Sequence, residues 1–131
     1  MPKKEPTIKG ILAREYVLAE DNKVSKELHE QSNFGELQDS QFHYSFVEAL
    51  YLFEKKKMIL YNNKKKKIKN RQFIIRASTL DPHFSIKYMV YKDMRNRGYI
   101  VKTALKFGAD FRVYDRGIKP GQDHAKWILY P

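Results

Sequence analysis

The chain has 131 residues, 42% of them apolar and 31% charged, which excludes a disordered tail and suits one ordinary domain or two small ones sharing an interface. No apolar run approaches the roughly 20 residues of a membrane helix, Met1-Pro2-Lys3-Lys4-Glu5 lacks the apolar stretch of a secretory signal, and zero cysteines exclude disulfides, a thiol nucleophile and thiolate zinc sites. Twenty-six Lys and Arg against 15 Asp and Glu give a net charge of +11, which calls for a polyanionic partner: nucleic acid, a membrane surface or an acidic protein.

Thr7 to Leu12 and Tyr16 to Leu18 read as short strands separated by the polar pair Arg14-Glu15. A short helix is expected from Ser25 through Lys26, Glu27, Leu28 and Glu30, stopped by Ser32 to Gly35. Gln41 to Tyr44 is a further strand. Ser45-Phe46-Val47-Glu48 is a capping box, in which the Ser45 hydroxyl accepts from the Glu48 amide while Glu48 reaches back. Behind it Phe46, Val47, Leu50, Tyr51 and Phe53 make a dense apolar helix face ending at Lys55 to Lys57, and Met58 to Tyr61 is a strand returning to that helix. From Lys55 to Arg76 there are ten basic residues and no acidic one, with Asn62 to Asn70 read as a solvated loop or lysine-rich strand edge. Such a run is either an RNA-contacting arm or simply a soluble surface.

Asp81-Pro82 marks a domain boundary, with Asp81 suited to an N-cap and Pro82 to a first helical position. The helix expected from Pro82 to Arg97 carries Phe84, Tyr88 and Tyr91 toward a sheet, and Ile86, Met89 and Val90 broaden that face. Gly98 stops it, with Arg95 and Arg97 facing the helix's negative end. Tyr99 to Lys102, Asp110 to Asp115 and Ala125 to Tyr130 then alternate as strands. The expected class is α+β, with residues 1–81 a small mixed N-terminal domain and residues 82–131 the first part of an α/β domain whose sheet still lacks a covering layer. Residues 84 to 131 carry ten basic and four acidic side chains, so positive charge is concentrated there.

Metal-dependent nuclease chemistry needs clustered carboxylates. Asp110, Asp115 and Asp123 are the only candidates near one another in this second segment, and Asp123 stands three residues before Lys126, which breaks the order metal nucleases use. No metal site and no cofactor is expected; a phosphate-cradling glycine loop and a nucleophile elbow are also missing from the sequence. A Ser or Thr nucleophile with a His and an acid stays open, and what remains beside it is metal-free acid–base chemistry. Cleaving RNA through its own 2′-hydroxyl, for one, needs a base, an acid and a cation for the phosphorane. Tyr114, at the end of one strand, and His124, ahead of the last, can face each other across the Asp115 to Asp123 loop. On their own, a half-buried strand tyrosine and a surface histidine are commonplace.

Three stretches resemble the archaeal tRNA-splicing (tRNA-intron) endonucleases: Tyr-Lys-Asp-x-Arg-x-Arg-Gly-Tyr at 91 to 99, Lys-Phe-Gly-Ala-Asp-Phe-Arg-x-Tyr at 106 to 114, and Gly…His at 121 to 124. Ser45-Phe-Val-Glu-Ala-Leu-Tyr-Leu52 is also similar to a helix of that family, and the match runs in order from about Lys9 to Tyr130. The resemblance implies an N-terminal α+β domain supporting an α/β catalytic domain. It implies Tyr114 as base on the 2′-hydroxyl and His124 as acid on the leaving 5′-oxygen. Lys106, Arg112, Arg116 and Lys126, the basic side chains around them in the sequence, are the expected RNA contacts. The implied substrate is precursor tRNA folded as a bulge-helix-bulge, cut to a 2′,3′-cyclic phosphate and a 5′-hydroxyl.

Implied partners are further copies or paralogues of the endonuclease, with no membrane, in the cytoplasm. The family's catalytic lysine follows the histidine on a later helix, at a position this sequence does not match. Lys126 is near His124 but elsewhere in the pattern, so a piece of a longer protein, or one half of a two-chain enzyme, is expected. A non-catalytic structural or RNA-binding subunit of the same assembly is the alternative, disfavoured by the joint presence of Tyr114 and His124.

Overall fold

The computed structural model describes residues 7–103 and 111–115, together with the backbone of 127–129. The elements run β1 (Ile8–Leu12), β2 (Val17–Glu20), α1 (Lys23–Ser32), β3 (Glu36–Gln38), β4 (Gln41–Tyr44), α2 (Phe46–Glu54), β5 (Met58–Tyr61), α3 (Asn70–Leu80), α4 (Phe84–Asn96), β6 (Ile100–Thr103), β7 (Phe111–Tyr114) and β8 (Trp127–Leu129). Two sheets result. The first has the order β3-β4-β2-β1-β5, antiparallel except for the parallel β1/β5 pair; the second is an antiparallel β6-β7-β8 ribbon. The α+β expectation holds.

The strands follow from alternation. In β1, Ile8 and Gly10 face inward while Lys9 and Ile11 face out. Gly10 is required by close approach: a Cβ there would come within 2.7 Å of Val17 and 2.9 Å of Met58. β5 pairs along its whole length with β1, from Ile8↔Met58 to Ile11↔Tyr61, which makes it an edge strand of the first sheet.

Three helices differ from expectation. Helix α1 starts at Lys23, capped by the Asn22 side chain, which accepts from the Ser25 amide at 3.0 Å. Ser25 itself is buried and its hydroxyl donates to the Glu20 carbonyl at 2.9 Å, so it lies one turn inside the helix it was expected to begin. Helix α3 had no counterpart in the sequence reading. Its inward face is narrow, with only Phe73 and Ala77 buried, and the lysine run ahead of it hides the period. Helix α4 starts at Phe84 rather than Pro82. Asp81 does bond the amide two residues on, at 3.0 Å from His83 N, but Pro82 and His83 form a turn before the helix proper. Phe84, Tyr88 and Tyr91 are buried as expected, while Ile86 and Met89 are 57% and 70% exposed, so the apolar face is narrower than the run of apolar letters suggested.

One continuous core joins both sheets and α2, α3 and α4. Phe46 meets Phe73 at 5.2 Å between ring centroids, and Tyr91 takes Tyr51 and Phe111 edge-on, each at 5.9 Å. At the α3–α4 junction Asp81 accepts from Lys87 Nζ at 2.7 Å, with both side chains mostly covered. Burial pushes the Asp81 carboxyl up, but the Lys87 and His83 bonds and charges outweigh it and hold it below the usual carboxylate range. A depressed carboxyl stabilises the fold above its unfolded value, about pH 3.9, and that stability is lost as pH falls through the folded value. Asp81→Asn should therefore cost about 1–3 kcal/mol at neutral pH and lose less than the wild type on acidification below about pH 4. Urea titrations across that range check it; parallel acid limbs for the two proteins would contradict it.

Candidate active site

Tyr114 is the last residue of β7 and pairs with Ile100 of β6, while Arg112 pairs with Lys102. Directly paired residues of antiparallel strands share a face, so Ile100, Lys102, Arg112 and Tyr114 lie on one side of the ribbon. Val101, Val113 and Phe111 are buried in the core from the other side. Arg112 is exposed. Tyr114 is only 8% exposed, more covered than the half-buried strand tyrosine of the sequence reading. The β7–β8 pairing sets Trp127 across from Val113, so the chain leaves β7 at Asp115 and re-enters the ribbon beside Tyr114's end. Lys106, Arg116, His124 and Lys126 lie outside the described residues.

On the face that Lys102 shares with Tyr114, a polar network joins the ribbon to Glu48, whose local bonds to Ser45 were expected and whose longer-range ones were not. Lys102 Nζ donates to the Asn33 carbonyl at 2.7 Å, the Gly35 carbonyl at 3.3 Å and Glu48 Oε2 at 3.5 Å. Glu48, 1% exposed, also accepts from the Gly35 amide at 2.9 Å and, through Oε1, from the Ser45 amide and hydroxyl, each at 3.1 Å. Gly35 has φ +77°, and a Cβ there would stand 2.7 Å from the Tyr44 ring, so glycine is needed for its amide to reach Glu48.

Arg95 was expected at the end of its own helix. Instead its guanidinium lies 4.0 Å from the Phe34 ring centroid and donates to the Ser32 carbonyl at 2.7 Å, where α1 ends, to the Val101 carbonyl at 3.3 Å and to the Tyr91 hydroxyl at 3.2 Å. Arg97 pairs with Asp93 instead. Two cations from the second half of the chain, Arg95 and Lys102, thus meet carbonyls at and just beyond the negative end of α1. They fix the β6–β7 ribbon on the first sheet's scaffold.

Three other described tyrosines are held as neutral phenols. Burial pushes the Tyr44, Tyr88 and Tyr91 hydroxyls well above the ordinary phenol range, and Tyr88 is driven further by donating to the Glu54 carboxylate. Among the described residues no three His, Asp or Glu cluster as metal ligands would, and no described helix is long and apolar enough to cross a membrane.

The first sheet and its helices are thus tied through the covered cations Arg95 and Lys102 to a ribbon that bears Tyr114 and the exposed Arg112. Comparison with known proteins gives the family. Residues 8–74 match the family described as tRNA intron endonuclease, N-terminal domain, and residues 84–131 match tRNA intron endonuclease, catalytic C-terminal domain. The chain is 35% identical over 122 residues to the tRNA-splicing endonuclease of Methanothermobacter thermautotrophicus, covering 93% of this chain and 70% of that protein. It is 39% identical over 127 residues to that of Thermococcus onnurineus, covering 97% and 71%. Over 91 residues it is 44% identical to that of Nanoarchaeum equitans, covering 65% and 58%. The chain belongs to the tRNA intron endonuclease family.

Proposed function

We propose that this protein is a tRNA-splicing endonuclease that cuts precursor tRNA at bulge-helix-bulge junctions without a metal ion. The observation that carries the reading is the in-order identity to the Thermococcus onnurineus enzyme over 97% of the chain. Tyr114 takes the proton of the 2′-hydroxyl as that oxygen attacks the adjacent phosphorus. The P–O5′ bond then breaks and His124 protonates the departing oxygen, leaving a 2′,3′-cyclic phosphate and a 5′-hydroxyl. A covered ring at a strand end is held in one orientation, as a positioned base must be. Arg112, Arg116, Lys106 and Lys126 supply positive charge for the RNA backbone and for the extra charge on the phosphorane.

The division of labour is an N-terminal domain of residues 1–81 supporting a catalytic segment of residues 82–131. The working unit is an assembly with further copies or a paralogue of this chain, in the cytoplasm. The test is to incubate the purified full-length protein with bulge-helix-bulge RNA in excess EDTA and to identify the product ends by mass spectrometry. Cyclic phosphate at an undiminished rate is expected. RNA left uncut, 3′-hydroxyl ends, or dependence on added Mg²⁺ would overturn the reading.

A further inference from the structure

Four consecutive lysines stand exposed on the turn after the edge strand β5, in an element apart from the β7 strand of Tyr114. We propose that this turn, with Arg14 and Arg76 beside it, is a second RNA-binding site that grips the phosphate backbone of a duplex arm of the substrate. The proposal rests on the reading of the protein as an RNA-cutting enzyme.

Lys64, Lys65, Lys66 and Lys67 stand in sequence and all four are exposed. Their turn is built rather than slack. Asn62 Oδ1 accepts from the Lys64 and Lys66 amides at 2.9 and 3.0 Å, and the Asn62 amide donates to the Lys66 carbonyl at 2.8 Å. Lys65 holds a left-handed backbone at φ 62°. Lys67 bridges to Tyr61, and the buried Ile68 anchors the exit by donating to the Leu60 carbonyl at 2.8 Å. A fixed turn holds four like charges close together, which works against the fold unless an anion relieves it.

The surroundings add cations and little counter-charge. Arg76 of α3 donates to the Arg14 carbonyl at 3.4 Å, and these two arginines line a cleft of about 370 Å³ together with Asn62 and Asn63. On the turn's other flank Lys65 and Lys9 line a second cleft, in which Glu20 is the only acid. On α1, by contrast, both lysines are matched, Lys23 by Glu27 and Lys26 by Asp21. The rings of single-strand platforms are also scarce: Tyr61, half-buried, is the one aromatic lining either cleft. Many cations with little to stack on suit phosphates of a duplex, read by shape rather than by base.

The probe is a fully paired RNA duplex without bulges, so binding is scored apart from cleavage. Replacing Lys64, Lys65, Lys66 and Lys67 together by Gln should weaken duplex affinity about 10- to 100-fold at moderate salt and lower the slope of log affinity against log salt by about 2–4. The control Lys23→Gln/Lys26→Gln removes two charges from α1 and should leave both quantities near wild type, and thermal melting confirms that all three proteins fold. Unchanged affinity and slope in the four-lysine variant would overturn the site. So would an equal loss in the control, which would mean net charge alone binds. Patch-dependent duplex binding by a protein that fails to cut bulge-helix-bulge RNA would uphold this site while refuting the endonuclease reading.

Discussion

Tyr114→Phe is expected to slow cleavage of bulge-helix-bulge RNA by about 10²- to 10⁴-fold, the usual span for removing a general acid or base, with RNA affinity within a few-fold of wild type. Only a hydroxyl is removed. The ring of this 8%-exposed residue stays to fill its place beside Ile100, so melting should shift little. That separates a lost proton acceptor from a loosened sheet. His124→Ala should lower the rate over a similar range, and the double variant should be little worse than the poorer single one, because the two groups act in one step. Single-turnover rates at saturating enzyme, with filter binding on the same RNA, decide it. Near-wild-type cutting by Tyr114→Phe would remove the proposed base, and a parallel fall in melting temperature would move the effect from chemistry to packing.

Glu48→Ala is expected to cost about 3–5 kcal/mol of stability, the largest effect of any single polar truncation proposed, because it strips the partner from a mostly buried cation, two amides and a hydroxyl at once. Lys102, whose side chain is 14% exposed, would lose its only carboxylate in this network, and the Gly35 and Ser45 amides would lose theirs. Glu48→Gln should recover only part, since its amide nitrogen must face donors on one side. Denaturant midpoints measure both, and a loss below about 1 kcal/mol for Glu48→Ala would show that water or a rearranged Ser45 replaces the carboxylate. Lys102 pairs with Arg112 across β6 and β7, so the variant should also misplace the ribbon carrying Tyr114 and lower activity at temperatures where it is still folded.

Features with a local cause were legible from the letters alone. Ser45 and Glu48 are three residues apart, so their reciprocal bonds depend only on one turn of helix, and both are present. Met58–Tyr61 is a short apolar run between charged runs, and that was enough to mark it as a strand. Tyr114 at the end of β7 and the Phe84, Tyr88 and Tyr91 face of α4 followed from period and spacing in the same way. The family itself was readable from the blocks at 91 to 99 and 106 to 114, because motif order survives in one dimension.

What the tertiary structure decided is where side chains go once distant segments meet. Arg95 is placed by sequence to serve its own helix end, yet it crosses to Ser32, 63 positions away, because Phe34 and Tyr91 offer rings for its guanidinium there. Glu48 completes a local capping box, but its second oxygen answers Gly35 and Lys102, partners no helix rule contains. Ile86 and Met89 carry the letters of a core and stand in solvent, while Phe73 and Ala77 anchor a helix whose basic approach concealed it. Periodicity tells a residue which way it points along its own element. Which carbonyl, ring or carboxylate waits there is set by long-range packing, and that information is in no single window of the chain.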